Sequence, residues 1–168
     1  SEKGRDIQNK YKAYLAFLFG EAGYTDPATA ADAVYAFEDR IAREVTWDRT
    51  VRRNRDLTYN LLSAADLEAI SGKVPLASLL SGLGISQSPG FVVSLMPPTP
   101  EEIAALKLDA ATLAKIGTGL PGMFALLGET PVATLQAWTI KEFLNDNAAV
   151  LPQRFDQARF DFYGKVLS

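Results

Sequence analysis

The chain has 168 residues, 48% of them hydrophobic and 22% charged, with a formal net charge of −3 and neither histidine nor cysteine. That is the composition of an ordinary folded globule, long enough to bury a core of its own. The missing residue types remove an imidazole base, a catalytic triad, a thiol nucleophile, a disulfide framework and the usual zinc ligands. The acidic balance argues against a nucleic-acid partner, and no stretch approaches the roughly 18 apolar residues of a membrane span.

In chain order, Ile7, Tyr11, Tyr14, Leu15 and Leu18 recur at helical spacing and predict a first helix with these side chains in the core. Gly20, Gly23 and Pro27 break it. Asp26 is a candidate N-cap, with Pro27 at the first position of a second helix. Ala30, Val34, Phe37, Ile41 and Val45 form its apolar stripe, opposite Glu38, Asp39, Arg40, Arg43 and Glu44. Two antiparallel helices joined by a glycine-containing turn are expected. Glu38 and Asp39 are adjacent, about 100° apart around the helix, so they make no convergent carboxylate pair.

Arg52, Arg53 and Arg55 lie beside Asp48 and Asp56 and read as a solvated face. Ser63 and Asp66 resemble a capping box, with Asp66 where glutamate or glutamine is commoner. Tyr59, Leu61, Leu62 and Leu67 are expected to pack this segment down. Pro75 opens a short helix that closes at Gly82 and Gly84. Phe91, Val92 and Val93 form the one strand-like stretch, expected to pair outside the chain or merely to run extended. Thr99 and Pro100 start another helix, with Glu101 and Glu102 in its first turn, and Asp109 marks a further cap. Gly117, Gly119 and Gly122 lack the lysine that a phosphate-binding loop needs. Thr130 and Pro131 open the helix of Leu135, Trp138, Phe143 and Leu144. Phe155, Phe160, Phe162 and Tyr163 form a terminal aromatic cluster where polar, frayed residues are usual.

The fold expected is mainly α: an irregular multi-helix domain over residues 1–168, with antiparallel helix pairs, long Pro/Gly-rich connections and at most one short strand. No catalytic, cofactor-binding or metal-ligating residue stands out. Asp156 and Asp161 read as helix-surface acids, and Ser71 with Lys73 does not form a Ser-x-x-Lys arrangement. A carboxylate-based hydrolase would need two acids converging on a cleft.

Several stretches in order carry a resemblance: "NKYKAYLAFLFGEAG" from Asn9, "AADAVYAFEDRIAREVTW" from Ala30, "RRNRDLTYNLLSAADLEAI" from Arg52, "TPVATLQAWTIKEFL" from Thr130 and "FDQARFDFYGKVLS" from Phe155. Together they resemble the neprilysin-like zinc metalloendopeptidases, the M13 peptidases, in the helical, non-catalytic part of their N-terminal half. Ser81 to Gly122 departs from that pattern. The resemblance implies that the chain is a fragment of a larger peptidase, whose catalytic domain, with its His-Glu-x-x-His zinc site, follows Ser168. It also implies a role in restricting substrate access by size, with that catalytic domain and small peptides as partners. Zinc belongs to the full-length protein and not to this segment, and the placement implied is periplasmic or secreted. The alternative is a stand-alone helical protein-interaction module.

Overall fold

The computed structural model describes residues 2–167. The fold is mainly α. Among the described residues there are ten α-helices and a two-stranded antiparallel sheet. The chain forms two compact units. One takes the chain up to Glu38 together with the chain from Thr130 onward; the other is Asp39–Glu129.

The first unit is built around α1 (Glu2–Glu21). Its buried residues Tyr14, Leu15, Leu18 and Phe19 fall on two neighbouring i, i+4 rows. Leu15 and Phe19 pack with Ala31 and Val34 of α2 (Pro27–Arg40) and Ala137 of α9 (Val132–Asp146). Tyr14 and Leu18 pack with Ala148, Phe155 and Phe162, from the end of α9 through α10 (Gln153–Arg159) to a π-helical turn at Phe160–Gly164. One helix therefore serves two clusters, which requires apolar residues in adjacent pairs. The α1–α2 pairing is antiparallel. Tyr11 meets Tyr35 and Glu38, Lys12 meets Asp32, and Phe19 meets Tyr24. Asp26 accepts from the Thr29 amide at 3.1 Å, as its capping role requires.

The second unit begins where α2 widens into a π-helical turn at Ile41–Val45. Short elements follow: α3 (Arg55–Thr58), β1 (Asn60–Leu62), α4 (Ala64–Ile70), α5 (Leu76–Gly82), β2 (Phe91–Val93), α6 (Pro100–Ala105), α7 (Ala110–Leu113) and α8 (Gly119–Glu129). Local side chains start four of these helices, the first being α3, where Asn54 accepts from the Asp56 amide at 3.0 Å. Ser63 and Asp66 form a complete capping box at α4, as do Thr99 and Glu102 at α6, and Asp109 caps α7. One core joins Leu67, Leu76, Leu80 and Phe124; another joins Trp47, Val51 and Leu57.

Several expectations are corrected. Phe91–Val93 is not a lone strand. It pairs antiparallel with Asn60–Leu62, with Leu61 opposite Val92. The partner lies about 30 residues back in a segment rich in helix signals, and no local pattern announces it. Asn60 fixes the register, its Nδ2 donating to the Val93 carbonyl at 2.9 Å. With side chains alternating across the sheet, Tyr59 and Leu61 point outward and are 67% and 65% exposed rather than packed down. Phe143 is exposed on the outer face of α9. The terminal aromatic cluster is divided: Phe155 and Phe162 are buried, while Phe160 and Tyr163 are exposed.

Candidate functional site

In the first unit, Lys141 lies one turn beyond Ala137 on the buried face of α9 and is 5% exposed. Its Nζ is 2.5 Å from Glu38 Oε1 and 2.6 Å from Glu142 Oε1. The second oxygen of Glu38 accepts from the Tyr11 hydroxyl at 2.7 Å. Burial alone would lower the Lys141 pKa, but hydrogen bonds to Glu142 and Glu38, with their charges, hold it above the ordinary lysine value. Burial pushes Tyr11 far up, and its bond to the Glu38 carboxylate adds to that. Tyr14 is pushed up to about 12, first by burial and then by Tyr163. Tyr14 donates to Asn145 Oδ1 at 2.9 Å and stacks on Phe162 with ring centroids 5.7 Å apart.

This arrangement compensates the buried ammonium and leaves one net negative charge; it is an ion-pair network and not an acid–base pair. Both carboxylates are committed to one ammonium, and neither tyrosine hydroxyl is close to ionising at neutral pH. Surface cavities of about 360 and 350 Å³ border the cluster, and Phe162 lines both.

Several other acids are engaged individually. Asp39 pairs with Arg43 at 2.7 Å and Glu44 with Arg40 at 2.9 Å. Asp161 pairs with Lys165 at 2.5 Å and accepts from Gln157, and these bonds hold it below the usual carboxylate value. Asp156 is exposed. Ser71 is buried, donates to the Glu68 carbonyl at 2.9 Å, and is not poised as a nucleophile. Arg52, Arg53 and Arg55 are all exposed.

The second unit holds a groove of about 460 Å³. The π turn of Ile41–Val45 forms one wall and Gly119, Leu120 and Met123 of α8 another; Val92 to Leu95 run along its side. No charged side chain lines it. Two glycines of this unit, Gly117 and the groove residue Gly119, serve close approach. A Cβ on Gly117 would come within 2.6 Å of the Val45 carbonyl oxygen and 2.7 Å of that of Thr46. Gly119 has φ +60° and would meet the Leu95 carbonyl. A Cβ there would also lie 3.3 Å from Nε1 of Trp47. That indole is 1% exposed, and its N–H has no hydrogen-bond partner among the described residues.

Sequence reasoning missed Lys141 and the groove. A lysine at i+4 from Ala137, on an apolar face, was the available signal for the first. The groove depends on three segments far apart in the chain, Ile41 to Thr46, Val92 to Leu95 and Gly119 to Met123, which no local pattern brings together.

Among the described residues, no three His, Cys, Asp or Glu side chains gather so as to hold a metal ion. The donor set does not fit zinc, and no catalytic step through a metal is assigned to this chain. No described helix is long and apolar enough to cross a membrane.

A family model described as Peptidase family M13, for the N-terminal part of that family, matches residues 1–168. The chain belongs to peptidase family M13. Neither curated proteins nor solved structures give a match. As an M13 N-terminal part, its helices, its ion-paired lysine cluster and its uncharged groove belong to a non-catalytic region of the family.

Proposed function

We propose that this M13 segment is the helical, access-restricting part of a secreted or periplasmic zinc metalloendopeptidase. The catalytic domain of the same polypeptide is its partner. The observation that carries this reading is the family match along all of residues 1–168 in a chain with no histidine. Peptide hydrolysis would take place on zinc held by residues outside this sequence. The helices would form the wall of a closed chamber, admitting short flexible peptides and excluding folded proteins. Enclosure of that kind keeps bulk water from a reacting centre and strengthens electrostatic interactions inside it.

The test is an assay of the natural polypeptide containing this sequence, with a size series of peptides and a folded protein as substrates. Chelator-sensitive cleavage confined to the shorter peptides is expected. Cleavage of the folded protein at a comparable rate, or no chelator-sensitive cleavage at all, would overturn the reading.

A further inference from the structure

In the first unit four aromatic rings, those of Tyr11, Tyr35, Phe162 and Tyr163, wall a surface cavity of about 350 Å³. They come from α1, α2 and the π-helical turn at Phe160–Gly164, so the cavity exists only once these helices pack. Their planes are inclined to one another: 63° between Tyr11 and Tyr35, 31° between Tyr11 and Phe162, and 78° between Phe162 and Tyr163. Rings set at such angles around one space form a box rather than a flat stack. Among the described residues no charged side chain lines it. Two observations give the rings their character. The Tyr11 hydroxyl donates to the Glu38 carboxylate at 2.7 Å, and a phenol engaged in this way carries a more negative ring face. Tyr35 already accepts a cation, with Lys12 Nζ 4.8 Å from its ring centroid. Around Tyr163, Lys141 and Arg159 are balanced by Glu38 and Glu142, so the ring faces themselves decide what is attracted.

We infer that this aromatic box binds a methylated ammonium group, such as the trimethylammonium of a choline-like molecule. Negative ring faces attract a cation held within about 6 Å of their centroids. The lack of a lining carboxylate selects among cations. A primary ammonium or a guanidinium brings N–H donors that would be left short of acceptors, which opposes its leaving water. A trimethylammonium group has no donor to satisfy, and its methyls pack on the rings while its charge meets their faces. The cavity volume falls near the lower end of the range of small-molecule sites, about 300–1,000 Å³, as suits a small headgroup. The inference goes beyond the access-restricting reading. It needs no zinc and no peptidase activity, and its failure would leave that reading standing.

The experiment is an aromatic ¹H–¹³C titration of the 168-residue chain with choline chloride. One control is the neutral analogue of choline in which a tert-butyl group replaces trimethylammonium; the other is ammonium chloride. Saturable shifts of the Tyr11, Tyr35 and Tyr163 rings are expected, with both controls binding roughly tenfold more weakly or not at all. Tyr35→Leu should weaken choline binding by roughly tenfold, while Tyr35→Phe, which keeps the ring face, should leave it within about twofold. Circular dichroism checks folding, and Tyr163→Leu, at an exposed ring, serves in place of Tyr35→Leu should that variant not fold. Flotation with phosphatidylcholine vesicles then separates two sources of the group: capture of the chain assigns a lipid headgroup, and choline binding without capture assigns a free small molecule. Four results would overturn the inference: no saturable shift, equal affinity for choline and either control, unchanged choline affinity in the folded leucine variant, or shifts confined to other rings.

Discussion

Lys141 shares the inward side of α9 with Ala137, so its ammonium can leave water only because Glu38 and Glu142 accompany it. Lys141→Met should destabilise the chain by roughly 2 kcal/mol, because Glu38 loses its charge partner while remaining mostly buried. Adding Glu38→Gln should recover part of that loss, and chemical denaturation of the two single variants and the double variant measures the coupling. Equal and additive losses would contradict the network. Its pH dependence has a definite sign. The folded lysine pKa is raised, so its contribution is complete below the unfolded value of about 10.4 and is lost as pH rises through the folded one. The stability difference between the native chain and Lys141→Met should therefore shrink at strongly alkaline pH. Gly117 is constrained in another way. Gly117→Ala drives a methyl into the Val45 and Thr46 carbonyls and should cost more than about 2 kcal/mol, read from the denaturation midpoint.

Helix starts were legible because their determinants are local. Ser63 with Asp66, Thr99 with Glu102, and Asp109 each sit within three residues of the amides they satisfy. The β1–β2 pair was not legible, since Leu61 and Val92 become neighbours only through the chain's return. Ser63→Ala should cost about 1 kcal/mol, measurable in the same denaturation experiment. Asp66 is held below its ordinary value by its bonds to the Ser63 side chain and backbone, Asp109 by those to Thr112, and Asp26 by those to Thr29. Each depressed carboxyl contributes stability above its unfolded pKa of about 3.9, and that contribution is lost as pH falls through the lower folded value. Melting temperature should therefore be flat from about pH 5 to about pH 9, below the range in which Lys141 titrates, and fall steadily below pH 4, with Asp66→Asn flattening part of that fall. In the packed interior, Leu18→Ala should cost about 3 kcal/mol, because Leu18 is fully buried at the α1 cluster.

The two units divide what could be read from the sequence at the scale of the molecule. The first joins α1 and α2 to α9 and α10 across more than half the chain, through pairs such as Tyr14 with Asn145 and Glu38 with Lys141. Amphipathic stripes reveal that each helix has an inward face but not which distant face it meets. The apolar residues Tyr14, Leu15, Val34 and Phe37 were therefore assignable to a core, while the placing of Lys141 among them was not. The candidate groove stayed hidden for the same reason, because it brings Ile41 and Val45 together with Val92 to Leu95 and the start of α8. Family membership was legible because it rests on ordered local stretches, ending in the Phe-x-Phe-Tyr-Gly run at Phe160–Gly164. The most direct test of the access-restricting account is the intact mass of the natural polypeptide that carries this sequence. The account predicts a mass several times the 18.2 kDa of the chain, leaving room for a catalytic domain. A mass close to 18.2 kDa would contradict it and favour a stand-alone helical interaction module.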